Sequence, residues 1–579
     1  MERRCFIRRA SVRFKCFTSF VLYIVPASMA LAQTPPLPPG NAAQEPHRQQ
    51  ERERILRQQQ EARPDVRLKL PAEAGQRLPE DESPCFRIDR ITLSGEAAER
   101  FQWALHAADP SENPATGRCL GAGGINLTMK RVQNAIIARG YVTTRVLAAP
   151  QDLNSGTLAL TLIPGRIRTI RFTDDSSPRA TMWNAMPAAS GDILNLRDIE
   201  QGLENFKRLP TAETDIQITP AEGADAKPGE SDLVIAWKQG TPLRLSLSVD
   251  DSGSKHTGKY QGSITVSYDN WWTANDLFYV SLNHDLGNGH SGEKGTRGYT
   301  VHYEVPYGYW LLGFTTSRYK YHQTVAGYQS YIYSGTNENS EIRLSRLFYR
   351  DAVRKLGAYT RAWMRRSSNA IDDTDILVQR RRMAGWEIGL TYRQFFDAAT
   401  LDANMAYRKG TRMLSSLPAA EEAFGEGTSR PSLVTADVQL TVPFALASQR
   451  LRYTGTLRGQ WNDTPLVMLD RFSIGGRYTV RGFDGENTLI GDRGWLARND
   501  LGLALGSTGQ ELYVGADYGQ VGGQSTRLLA GRHLAGAVLG LRGGYKGLYW
   551  DAFVGTPIYK PKSFRTDSTV VGFNLNWTY

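Results

Sequence analysis

Apolar and polar residues alternate along most of the chain after residue 240. The pattern recurs in well-separated segments, among them Leu243–Val249, Tyr299–Val305, Trp386–Tyr392 and Val571–Tyr579. A period of two predicts β-strands, and segments of about 10 residues with aromatic ends are typical of strands that cross a membrane. The polar positions carry Arg, Glu, Asn and His, which suits a water-filled lumen. A soluble β-sandwich also alternates and is the alternative, although its apolar faces would point at each other.

A β-sheet in lipid must close on itself, because an open edge leaves unpaired backbone groups that cost several kcal/mol each. At about 20 residues for a strand and its connection, residues 241–579 hold enough chain for roughly 16 strands. We therefore predict a transmembrane β-barrel of about 16 antiparallel strands over residues 241–579.

Residues 85–240 predict two small α/β units in tandem, 85–165 and 166–240. In the first, the strand CFRIDRITLSG precedes two helices, EAAERFQWALHAA and LTMKRVQNAIIARG, and two strands, YVTTRVLA and GTLALTLIPG. The second has the same order: RIRTIRFTD, ATMWNAMPA, LRDIEQGLENFKRLP, TDIQITPA and DLVIAWKQG. The order β-α-α-β-β occurring twice indicates an internal repeat of about 80 residues.

The N-terminal 84 residues differ from the rest of the chain. Residues 1–32 predict a signal peptide, because a basic segment precedes an uncharged stretch that ends in an A-x-A cleavage site. That stretch is shorter than the roughly 20 residues a membrane-spanning helix needs, and a retained anchor is the alternative. Residues 33–62 predict a helix that is polar all round, either solvated or in a wet cavity, with a disordered tail as the alternative. Residues 63–84 predict a linker.

The charge, the hydropathy and the cysteine content of the chain narrow the classes of function that it can have. Mean hydropathy is −0.41, which excludes a helical membrane protein. Signal cleavage removes six basic and one acidic residue and leaves 63 basic and 57 acidic residues, too mild an excess to favour nucleic-acid binding. Cys5 and Cys16 leave with the signal, so Cys85 and Cys119 remain in an oxidising compartment and predict a structural disulfide. No His or Cys cluster accompanies them to favour a metal site.

The sequence offers no catalytic motif, and we predict neither an enzyme nor a bound cofactor. Residues 253–260 (GSKHTGKY) approach a nucleotide-binding P-loop, but Tyr260 replaces the Ser or Thr that would bind magnesium. The stretch also lies between two predicted barrel strands instead of between a strand and a helix. We interpret it as the first surface loop of the barrel and predict no nucleotide.

Five short motifs carry a family resemblance. They are CFRI…RCL in the first α/β unit, VPYGYW at 305–310, VRGF at 480–483, GADYG at 515–519 and the terminal Tyr579. Together with the tandem α/β units, these motifs in this order resemble those of the two-partner secretion transporters, the TpsB family of outer-membrane translocators. The resemblance covers essentially the whole mature chain. It implies a pore-plugging N-terminal helix, a linker, two POTRA domains and a 16-stranded barrel.

The resemblance also assigns roles to single residues. It implies that Val480, Arg481, Gly482 and Phe483 form the tip of a loop that folds back into the lumen, with Asp517 on the inner wall as the partner of Arg481. In a hydrated lumen such a pair would contribute only about 0–1 kcal/mol, so its value would be positional. A solvated surface arginine is the alternative for Arg481. The barrel's C-terminal signature would be Phe573, Trp577 and Tyr579.

As implied by the resemblance, the function would be secretion of one dedicated partner, a large exported adhesin, haemolysin or contact-inhibition toxin. The POTRA domains would capture its unfolded chain in the periplasm, and the barrel would pass it to the cell surface. The other expected partners are outer-membrane lipid and the barrel assembly machinery that inserts the chain. An assembly insertase is the alternative function. A passive porin is third, since a diffusion channel needs no periplasmic arm.

Overall fold

The computed structural model describes residues 44–61, 64–68, 76–287 and 293–579. The predicted signal peptide and the first part of the predicted polar helix lie outside these residues. The polar helix itself is α1 (Glu45–Gln60), a 16-residue helix with a proline in its first turn. Within the described parts of the chain, none of the helices combines the length and the apolar run needed to cross a bilayer.

The first α/β unit is built on two small sheets. Strand β1 (Phe86–Ile88) pairs with β3 (Arg118–Leu120), and β2 (Arg90–Gly95), β5 (Thr157–Ile163) and β4 (Arg145–Leu147) form a sheet in the order β2-β5-β4. Helix α2 (Ala122–Ala138) begins five residues before the predicted stretch, and the other predicted helix is a 3-10 helix, Ala98–Ala107. Apolar residues between these elements, including Ile88, Phe101 and Ile136, form its core.

The second unit has one helix fewer than predicted. Its sheet has the order β6-β8-β7, from β6 (Arg166–Phe172), β7 (Ala212–Pro220) and β8 (Glu230–Gln239), and α3 (Leu196–Lys207) packs on it. The stretch ATMWNAMPA forms turns and no helix, so that prediction was wrong. Its backbone is engaged elsewhere: the Asn184 carbonyl accepts a hydrogen bond from the Gly308 N–H of the barrel at 2.8 Å.

Residues 243–578 form a closed antiparallel barrel, which confirms the predicted fold. Short extra strands β16 (Thr374–Asp375), β21 (Phe472–Ile474) and β22 (Leu489–Gly491) accompany it. The sixteen long strands in the described chain are β9 (Leu243–Asp250), β10 (Gln261–Asp269), β11 (Leu277–Asp285), β12 (Lys294–Tyr307), β13 (Trp310–Val325), β14 (Tyr331–Arg350), β15 (Arg354–Ile371), β17 (Arg381–Phe396), β18 (Ala399–Thr411), β19 (Ser432–Leu446), β20 (Gln449–Asn462), β23 (Arg493–Ala504), β24 (Glu511–Gly522), β25 (His533–Tyr545), β26 (Leu548–Tyr559) and β27 (Val570–Thr578).

The two faces of the barrel wall differ as the alternation predicts. Outward positions such as Ile264, Leu282, Leu390 and Leu539 are apolar and exposed, as lipid contact requires. Inward positions carry polar and charged groups. Connections at the end next to the α/β units are short turns, whereas the opposite end carries the long connections 412–431 and 463–492. The second long connection contains the VRGF motif.

Candidate functional site

The connection between β20 and β23 folds back into the barrel and brings Arg481 against the inner wall. The Arg481 backbone N–H and Nε donate to Asp517 Oδ2 at 2.9 and 2.7 Å, and Nη2 donates to Asp517 Oδ1 at 2.8 Å. Nη2 also donates to Asp500 Oδ1 at 2.5 Å. The structure thus brings the two predicted partners together and adds Asp500 on the neighbouring strand.

The environment of this pair is not the wet one that we expected. The side chains of Arg481 and Asp517 are 3% and 1% exposed. Val480 and Phe483 of the same tip pack into an apolar cluster, in which the Phe483 and Phe564 rings meet edge to face at 5.7 Å. Removing one partner of a buried, hydrogen-bonded charge pair destabilises the folded protein by about 3–5 kcal/mol. This cost is far above the contribution of an exposed pair. The other members of the cluster are Phe472, Ile474, Leu489, Leu496, Val521 and Leu534.

Glycines in the wall let the loop backbone touch the strands directly. A Cβ on Gly536 would lie 2.0 Å from the Arg481 carbonyl oxygen, and one on Gly555 would lie 3.0 Å from Gly482 Cα. Gly482 itself has a φ of +90°, which favours glycine because it has no Cβ to clash. The tip is therefore held by close backbone contact as well as by charge.

Helix α1 occupies the lumen beside the loop. The Arg48 guanidinium donates to the Gly485 carbonyl at 2.5 Å, so the helix and the loop are in direct contact. At the other end of the helix, the Gln60 amide donates to Ser246 Oγ at 3.3 Å. The fully buried Glu45 accepts from Tyr319 Oη at 2.7 Å and from Thr257 Oγ1 at 3.0 Å. Every one of these contacts is polar, which explains why the helix needs no apolar stripe.

Helix α1 forms ion pairs with charged wall residues that also have a partner within the wall. Arg57 Nη1 donates to Glu341 at 2.6 Å, and Glu341 also accepts from Arg361 at 2.9 Å. Arg458 donates to Glu51 of the helix at 2.9 Å and to Asp437 of β19 at 3.1 Å. We call the alternating wall charges on β14, β15, β17 and β18 the lumen charge row: Glu341, Arg361, Glu387 and Arg408.

The described part of the linker connects the helix to the second α/β unit. The backbone N–H groups of Val66 and Leu68 donate to Glu204 and Glu200 of α3, at 2.9 and 2.8 Å. Arg350, at the end of β14, donates to both glutamates at 2.9 and 3.0 Å. The linker is thus held between α3 and the barrel rim.

Other contacts attach the second α/β unit to the same rim. The Tyr309 hydroxyl donates to Asp198 Oδ1 at 2.5 Å, and burial raises the pKa of the Asp198 carboxyl. Glu61, His302 and Glu304 are the one group of possible metal ligands among the described residues, but Glu304 is already paired with Arg208. We assign no metal to this group.

The remaining predicted site residues lie apart from the loop tip. Cys85, which immediately precedes β1, is disulfide-bonded to Cys119 in β3, with Cα atoms 5.3 Å apart. Phe573 and Trp577 lie in β27, the last strand. Tyr579 exchanges backbone hydrogen bonds with Leu245 across the seam that closes the barrel, at 2.9 and 3.2 Å.

Comparisons with known proteins agree with this architecture. Residues 229–543 match the family described as haemolysin secretion/activation protein ShlB/FhaC/HecB. The chain belongs to this family. Residues 86–165 match the ShlB-type POTRA domain and residues 166–220 match a POTRA domain, so the two α/β units are POTRA domains. The predicted family and fold are thereby confirmed.

Individual members of the ShlB/FhaC/HecB family align over nearly the whole chain. Outer membrane transporter CdiB-2 of Burkholderia pseudomallei is 38% identical, with 93% of this chain and 94% of the relative covered. Outer membrane transporter CdiB of Dickeya dadantii is 28% identical, with 93% and 95% covered. The solved structure of CdiB from Acinetobacter baumannii superposes with a TM-score of 0.82 at 32% identity, covering 94% of this chain and 100% of that one.

Family membership orients the molecule. The barrel lies in the bacterial outer membrane and the POTRA domains lie in the periplasm. The short turns of the barrel are therefore periplasmic, and the long connections, including the one that carries Arg481, start from the cell surface.

Sequence reasoning missed two parts of this site. Asp500 lies in β23 among other inward charges, and no local motif distinguishes it. The wall glycines, Gly536 and Gly555, do carry a signal: small residues at inward positions of β25 and β26 indicate a close approach by another backbone.

Proposed function

We propose that this protein captures an unfolded partner exoprotein in the periplasm through its POTRA domains and passes it through the barrel to the cell surface. Three features support the proposal: a lumen wide enough to hold a helix, a largely polar helix that is hydrogen-bonded to the wall and the loop, and a linker that ties this helix to the second POTRA domain. The second feature carries it, because a helix with almost no apolar residues can leave into water.

We propose the following boundaries for the parts: signal peptide 1–32, plug helix region 33–62, linker 63–84, POTRA domains 85–165 and 166–240, and barrel 241–579. In the first POTRA domain, the edge strand β4 and the neighbouring helix α2 flank a groove suited to β-augmentation, in which an extended cargo segment adds a strand to the sheet. Exposed Leu147 on β4 would supply an apolar contact to that segment.

The partner is a large secreted protein of the adhesin, haemolysin or contact-inhibition class. Transport uses neither a nucleotide nor a catalytic step, and folding of the cargo outside the cell drives it forward. A cargo that crosses completely while its folding outside is blocked would contradict this driving force. Insertion of the transporter itself depends on the barrel assembly machinery.

The test is a deletion of this gene in its host, with protein mass spectrometry of the culture medium and of the outer membrane. Loss of one large protein from the medium, with an unchanged outer membrane, supports a dedicated transporter and identifies its partner. A fall in many barrel proteins of the outer membrane would instead favour an assembly insertase. No change in either fraction would favour a passive porin.

A further inference from the structure

One large aromatic side chain of the second POTRA domain lies on the lipid side of the barrel rim. Trp183, in the stretch ATMWNAMPA, is 65% exposed, and its ring lies 6.1 Å from that of Tyr307. Tyr307 ends β12 on the same outward face as Tyr299, and it is itself 61% exposed. Trp183 thus extends the outer surface of the wall, although it belongs to a periplasmic domain.

The neighbouring periplasmic turn carries further aromatic residues at the same level. The Trp271 ring packs edge to face on Tyr268 and Phe278, each at 5.1 Å, and both of these rings are on outward positions of their strands. Trp272, next in the turn, is 69% exposed. Trp and Tyr concentrate where a membrane meets water, because their rings are apolar and their N–H or O–H groups are polar.

The backbone around Trp183 is fixed to both turns. Asn184 Nδ2 donates to the carbonyls of Pro306, at 3.1 Å, and Ala274, and Asn275 Nδ2 donates back to Asn184 Oδ1 at 2.9 Å. On the other side of Trp183, the Thr181 carbonyl accepts from Asn275 at 2.8 Å. Two periplasmic turns therefore hold the segment on both sides of an exposed tryptophan, which stays pointed outward.

We propose that Trp183 inserts into the phospholipid interface of the periplasmic leaflet and anchors the second POTRA domain to the membrane. The occupant is lipid because the ring continues the aromatic belt of a barrel whose outward face already contacts lipid. The inference rests on the outer-membrane location and is independent of the proposed cargo transport.

A cysteine-based depth measurement tests the anchor on the full mature chain. Cys85 and Cys119 are disulfide-bonded, so one introduced cysteine is the single free thiol of the mature protein. Trp183→Cys and Trp272→Cys are spin-labelled in proteoliposomes of phosphatidylethanolamine and phosphatidylglycerol. For each label we measure the ratio of its collision rate with oxygen, which enters lipid, to its collision rate with a nickel chelate, which stays in water. We expect the two positions to give similar ratios. Both ratios should be several-fold above the ratio for Leu147→Cys in the first POTRA domain. A ratio at position 183 equal to that at position 147 overturns the proposal.

The native side chain is tested separately, since a label differs from an indole. In the same vesicles made with brominated lipid, Trp183→Phe should lose part of the tryptophan emission that bromine quenches. Trp103→Phe, which alters a tryptophan of the first POTRA domain, should leave the quenched part unchanged. Equal quenched emission in the wild type and Trp183→Phe also overturns the proposal.

Discussion

The loop tip and helix α1 occupy the same lumen but are held in opposite ways. The loop tip buries a charge pair, packs Val480 and Phe483 into an apolar cluster and lies directly on wall glycines. Helix α1 is hydrogen-bonded to the wall through polar side chains, and its ion-pair partners Glu341 and Arg458 retain partners within the wall when the helix leaves. Without Arg481, by contrast, the one ion-pair partner left to Asp517 among the described residues would be Arg498, at 3.8 Å. The difference shows how one pore can contain both a fixed part and a removable part.

The largest effect is expected from Arg481→Ala. This change leaves Asp517 buried with only the long contact to Arg498, at a cost on the order of 3–5 kcal/mol, so the tip should leave the wall and export should fall by about tenfold or more. Export is measured as secreted partner at equal abundance of transporter in the outer membrane. Arg493→Ala, at an exposed arginine of β23, is the matched control. Unchanged export by Arg481→Ala would show that the tip has no lumenal anchoring role.

A second way to release the tip leaves every charge in place. Gly536→Ala puts a Cβ where the Arg481 carbonyl now lies, so we expect a loss of export in the same direction as for Arg481→Ala, but smaller because the ion pair can partly re-form. The control is Gly313→Ala in β13, where the new Cβ would meet nothing closer than 3.9 Å. If both glycine variants export equally well, close backbone contact does not hold the loop.

Weakening the contacts between α1 and the barrel wall should have a moderate effect, on the opening of the pore and not on export. Arg57→Ala removes one partly buried pair with the wall, worth about 1 kcal/mol, which corresponds to a roughly fivefold higher open probability. Single-channel recording in planar bilayers measures that probability, while export should persist. Arg54→Ala is the control, because Arg54 pairs with Glu51 of its own helix. An equal open probability in the two variants would mean that the Arg57 pair does not retain the helix.

The smallest effect on the pore is expected from replacing Cys85 and Cys119 with serine. Loss of the disulfide should destabilise the first POTRA domain by about 2–4 kcal/mol, measured as earlier unfolding in urea by limited proteolysis. The barrel should keep its resistance to unfolding in detergent at room temperature. Intact mass of the wild type should rise by two hydrogen atoms on reduction, and an unchanged mass would mean that the thiols are free.

The sequence predicts the barrel well because each strand has one face toward lipid and the other toward the water-filled lumen. Apolar and polar residues therefore alternate along it. The sequence predicts α1 from composition, since a helix surrounded by polar walls needs no apolar stripe. It fails at ATMWNAMPA, where the Thr181 and Asn184 carbonyls accept hydrogen bonds from Asn275 and Gly308 in barrel turns more than 90 residues away, contacts that helix propensity does not encode. It also misjudges the surroundings of Arg481, because apolar side chains of the cluster around the tip, such as Leu534 and Phe564, come from distant segments of the chain.

The lumen charge row has a consequence for a chain in transit. After α1 leaves, Glu341, Arg361, Glu387 and Arg408 still neutralise one another from strand to strand. In the proposed transport, a polypeptide that passes these four strands therefore meets wall charges that are already paired with each other.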